Sequence, residues 1–126
     1  MSVHWHAYCY TGRSYPDSVI RRGETPGNYP PIEIKDWLVR PRAQIAATFS
    51  DADSAAGWVQ KELEAKPPQD AASFPVADRV AYSRSTLGQT AGSDVVYGYY
   101  SGGQYVSRAL ITCPRAGIAR CPEGLA

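Results

Sequence analysis

His4-Trp5-His6 is the sharpest chemical feature of this 126-residue chain. Residues two apart on an extended strand share a face about 7 Å from one another, so the two imidazoles stand side by side, a spacing used by metal sites on β-sheets. A metal site needs at least a third donor, and these are the only two histidines. A carboxylate such as Glu33 or Asp36, or a cysteine, would have to come from elsewhere in the chain. On the local sequence alone no metal and no cofactor are expected. The same pair could act as general base and general acid in a metal-free phosphodiester cleavage, with a cation stabilising the developing charge. Tyr8, Tyr10, Arg13, Lys35, Arg40 and Arg42 are the supporting residues at hand. The plainer reading of His4 and His6 is an aromatic row shared with Tyr8 and Tyr10.

Other chemistry is thinner. Cys9, Cys113 and Cys121 cannot all pair within one chain, and their low density points to reduced thiols. Cys113 and Cys121 each precede a proline and could close a short loop in an oxidising compartment. Cys9 falls on the strand face expected to be core, where cysteine behaves as a small hydrophobe. Neither a Walker-type loop nor a dinucleotide-binding glycine pattern is present.

Tyrosine is the outlying residue type, with nine copies against three Trp and two Phe. Four of them, Tyr97, Tyr99, Tyr100 and Tyr105, crowd one hairpin with Arg108. Gly102-Gly103 supplies its turn, because glycine reaches the positive φ angles of a two-residue primed turn without steric cost. That turn sets Tyr100 opposite Tyr105, Tyr99 opposite Val106 and Tyr97 opposite Arg108. Both faces of the hairpin are therefore aromatic, and a face left open would be a Tyr and Arg surface of the kind that dominates interface hot spots.

The elements that must position these groups follow from periodicity. Ser2 to Tyr10 alternates, with Val3, Trp5, Ala7 and Cys9 on one face and His4, His6, Tyr8 and Tyr10 on the other. Thr11 to Pro31 is a long loop with a helical turn at Pro16 to Arg22, and loops of this length tend to carry function. Ile32 to Val39 and Arg42 to Phe49 are expected as strands. Asp51 to Lys66 is a helix, capped by Ser50 or Asp51, stopped by Pro67-Pro68, and buried along Ala52, Ala55, Ala56, Val59 and Leu63. Arg79 to Leu87 is expected as a strand, Gly88 to Asp94 as a turn, and three consecutive strands as a C-terminal meander.

These readings predict a small single-domain α+β fold over residues 1–114. A mostly antiparallel sheet of about five strands packs one face on one main helix, and residues 115–126 form a mobile tail. A net charge of +1 and the balance of 13 basic against 12 acidic residues disfavour nucleic acid, although basic residues cluster in the first third beside Tyr15, Tyr29 and Trp37. No apolar run suits a membrane span and the amino terminus lacks a signal peptide, so the expected location is cytoplasmic and soluble. The functional expectation is a binding or inhibitory protein rather than an enzyme. It would hold a protein partner or small molecule through Tyr8, Tyr10, Arg13, Tyr97, Tyr99, Tyr100, Tyr105, Arg108 and the long loop. The alternative is a small metal-independent ribonuclease built on His4 and His6. Oligomeric state is open, a dimer being compatible.

Overall fold

The computed structural model describes residues 3–89, 93–115, 117–118 and 121–124. Its elements run β1 (His4–Gly12), α1 (Asp17–Arg21), 3-10 turns at Ile34–Val39 and Arg42–Gln44, β2 (Ala47–Phe49), α2 (Ala52–Ala65), α3 (Val76–Gln89), β3 (Val95–Ser101) and β4 (Gln104–Cys113). Every strand pair is antiparallel and the order is β2-β1-β4-β3, which makes the fold α+β. None of its described helices is long and apolar enough to cross a membrane.

The local signals act as expected where they are strong. Gly102 and Gly103 turn the β3-β4 hairpin at φ of 57° and 81°, and the register places Tyr100 on Tyr105, Tyr99 on Val106 and Tyr97 on Arg108. Asp51 caps α2, accepting from the Ser54 amide at 2.7 Å, and Ala55, Ala56, Val59 and Leu63 form its buried stripe. α1 occupies the expected helical turn in the long loop.

Three expected strands need correction. Arg79 to Leu87 lies within α3, so the sheet has four strands among the described residues, two long helices stand where one was expected, and β4 pairs with β1 instead of extending a three-strand meander. Val76, Val80, Ser83 and Leu87 follow helical spacing, and Pro75 suits a helix start, its carbonyl accepting from the Asp78 and Arg79 amides. The stripe is hard to see because it runs through a serine. Buried Ser83 donates into the Arg79 carbonyl and meets the Tyr97 hydroxyl, each at 2.8 Å, so its polarity is satisfied in the core. Within Ile32 to Val39 the chain forms a 3-10 turn at Ile34–Val39 that buries Trp37 and Leu38, and only Ala47–Phe49 of the Arg42 to Phe49 segment is a strand. The turn expected over Gly88 to Asp94 falls partly outside the described residues, as does part of the expected tail.

Both faces of the sheet are covered. α2 and α3 lie over Trp5, Ala7, Val95, Tyr99, Val106 and Leu110. The opposite face carries Tyr8, Ala109, Ile111 and Cys113, covered by Trp37 and Leu38 of the 3-10 turn and by Ile118 and Cys121 after β4. The row His4, His6, Tyr8 and Tyr10 is therefore buried throughout.

Candidate metal centre

Strand alternation and register bring the donors together at one end of the covered face. β1 puts His4 and His6 on that face, and its pairing with β4 sets His4 opposite Cys113. Pairing with β2 sets His6 opposite Thr48. Pro114, with no amide hydrogen, suits the end of β4. The chain then turns back, tied by Arg115 to Asp94 at 2.7 Å, and delivers Cys121 and Glu123 over the histidines.

The donor atoms of His4, His6, Cys113 and Cys121 all lie within 4.8 Å of one another. Nε2 of His4 and Nε2 of His6 are 3.2 Å apart, and the Cys121 sulfur is 3.2 Å from His6 Nε2 and 3.5 Å from His4 Nε2. A tetrahedral Zn²⁺ with ordinary bond lengths has edges of about 3.4 Å between two nitrogens and about 3.6 Å between nitrogen and sulfur. The three spacings among His4, His6 and Cys121 fall close to those edges, and Cys113 completes the set within its 4.8 Å span.

The supporting contacts set the right nitrogen toward the centre. His6 Nδ1 is 3.0 Å from Glu123 Oε1 and 3.0 Å from Thr48 Oγ1, and Thr48 in turn hydrogen-bonds Glu123. A carboxylate only accepts, so Nδ1 carries the hydrogen and Nε2 presents its lone pair to His4 and Cys121. Burial, then the charge of His4, hold the His6 imidazole below its ordinary value against the opposing pull of Glu123, which favours the neutral form that ligates. Burial, then the adjoining Cys121 thiol, push Cys113 up to about 12. A bound divalent cation reverses that preference by deprotonating its thiol ligands. Tyr8, whose buried hydroxyl has no hydrogen-bond partner among the described residues, lies close enough to feel charge on Cys113 and Cys121, and burial raises its pKa.

The third and fourth donors are thus cysteines, not Glu33 or Asp36; Glu33 pairs with Lys35 at the surface. Glu123 and Thr48 were invisible in sequence, since nothing local marks a residue as the support of a distant imidazole.

The remaining sequence candidates divide by face. Arg108 lies under α2, 5 % exposed, where it donates to Glu62 at 2.8 Å and to the Tyr10 and Ser107 carbonyls. Tyr97 and Tyr99 also face the helices, their hydroxyls donating to the Arg79 and Lys66 carbonyls. Tyr10 donates to the Arg13 carbonyl and abuts Tyr29. At the far end of the other face Tyr105 stacks on Tyr29, with Tyr15 and Tyr100 edge-on. Arg13 lies over the Tyr15 ring. Tyr15, Tyr29, Tyr100 and Tyr105 line a cleft of about 640 Å³ with Pro16 and Pro31, and Tyr100 is 47 % exposed there.

Fold and site together describe a small α+β domain with a convergent His₂Cys₂ set. Comparison with protein-family models, curated proteins and solved structures finds no match to this chain.

Proposed function

We propose that this chain is a zinc-stabilised binding domain, in which His4, His6, Cys113 and Cys121 hold one structural Zn²⁺ and the tyrosine cleft at the other end of the same face receives a protein or small-molecule partner. The convergence of four soft and borderline donor atoms within 4.8 Å of one another, three of them at spacings near tetrahedral edges, carries this reading. Four protein ligands leave no open coordination position, which favours a structural over a catalytic role. The metal would fasten the segment after β4 across the ends of β1 and β4. The cleft supports the binding half: its rings are braced by mutual contacts, and Tyr100 is tied to Ser14 at 3.0 Å, so little ordering is left for a ligand to impose.

Acid-base cleavage by His4 and His6 has less support. Both rings are buried, and their Nε2 atoms face one another and Cys121 instead of a substrate cleft.

Native mass spectrometry of protein purified without a metal-affinity tag, with zinc supplied, tests the proposal. One Zn²⁺ per chain is expected, lost in Cys121→Ser and in His6→Ala. A chain that stays metal-free in the presence of zinc overturns it.

A further inference from the structure

The same four-donor site contains two thiols that differ in access. Cys113 is 1 % exposed at the end of β4, whereas Cys121 is half-buried on the segment that folds over it. Their sulfurs lie within the 4.8 Å span of the cluster, and no other cysteine is near: Cys9 is on the opposite face, its thiol against Glu62. A more exposed thiol beside a protected resolving thiol is the arrangement of peroxide-responsive cysteine pairs.

Resting on the zinc reading above, we propose that the centre is a redox switch in which a peroxide exchanges the metal staple for a Cys113–Cys121 disulfide. The Cys121 thiolate attacks one peroxide oxygen, breaking the O–O bond, releasing hydroxide and leaving Cys121 as the sulfenic acid. The Cys113 thiolate then attacks that sulfur. The S–S bond forms, the S–O bond breaks and a second hydroxide leaves, so two thiolates have supplied the two electrons that reduce the peroxide. The cation has then lost two of its four donors and leaves His4 and His6. Metal and disulfide both join the segment after β4 to the strand, so oxidation expels the cation while the chain remains tethered. A dithiol reductant with zinc reverses the exchange.

The test uses the zinc-loaded 126-residue chain carrying Cys9→Ser, treated with millimolar hydrogen peroxide. Zinc release is followed with a chromogenic chelator, the disulfide by peptide mapping, and the segment after β4 by limited proteolysis. The expected result is one Zn²⁺ released per Cys113–Cys121 bond, with the segment as protected as in the zinc form and more protected than in chelator-treated reduced protein. Dithiothreitol plus zinc should restore the metal. Zinc retained under peroxide, or released while Cys121 proceeds to sulfinic acid without the bond, overturns the switch. Zinc content before oxidation separates the two proposals. If the protein never takes up zinc, the zinc reading fails, and metal-free protein that still forms the bond shows a thiol pair without a metal to expel, which also overturns the switch.

Discussion

Glu123 meets the centre at His6 Nδ1, directly and through Thr48, and its contribution is open to direct measurement. The carboxylate fixes the Nδ1–H tautomer and raises the basicity of Nε2. Glu123→Gln should weaken zinc affinity about 10-fold and Glu123→Ala up to about 100-fold, read by competition with a chelator of known affinity. An unchanged affinity in both variants would make the contact incidental to ligation. Arg108 belongs to the same scale but to the other face. With Glu62 partly exposed, Arg108→Ala should cost about 2 to 4 kcal/mol in urea denaturation, because it removes the buried guanidinium that pairs with Glu62 and donates to the Tyr10 and Ser107 carbonyls under α2. A loss under about 0.5 kcal/mol would class the arginine as a surface residue.

Between elements, two close approaches decide how the covering segments sit. Gly98 of β3 lies beneath the Tyr105 ring, where an added Cβ would overlap the hydroxyl and come within 3.1 Å of Cζ. Gly98→Ala should therefore tilt Tyr105 off Tyr29, costing about 1 to 3 kcal/mol and reshaping the cleft, with the altered ring stacking visible in near-ultraviolet circular dichroism. Asp94 anchors the chain after β4 to the start of β3 through Arg115, the Thr112 amide and the Thr112 hydroxyl. Burial pushes the carboxyl up, but the donors from Arg115 and Thr112 outweigh it and hold the group below its ordinary 3.8. A carboxylate depressed on folding contributes stability above its unfolded value and loses it as pH falls through the folded one. Asp94→Asn should thus cost about 1 to 3 kcal/mol at neutral pH and progressively less as pH drops below about 4, measured as the gap in denaturation midpoint from wild type. A gap independent of pH would assign the loss to packing.

For the whole molecule, the proposed metal would add stability by binding the folded state alone. Free zinc at about 1,000 times its dissociation constant adds about 4 kcal/mol, so stripping it with a chelator should lower the melting temperature by roughly 15 °C. A melting curve indifferent to the chelator would contradict a structural cation. Strong local signals decided much of this architecture in advance: the Gly102-Gly103 turn and its pairings, the Asp51 cap and apolar stripe of α2, and the two-faced alternation of β1 that sets His4 beside His6. Each depends on residues a few positions apart, where backbone geometry alone determines who neighbours whom. Tertiary structure decided the rest. α3 is helical although its stripe includes Ser83, because that hydroxyl donates to the Arg79 carbonyl one turn back while Tyr97 of β3 shares the same carbonyl and closes over it. His4 and His6 gain two further donor atoms because antiparallel registry brings Cys113 across from His4 and the returning chain lays Cys121 on top, more than a hundred residues from either histidine in sequence. Such proximity is a property of strand pairing and packing, and no local pattern encodes it.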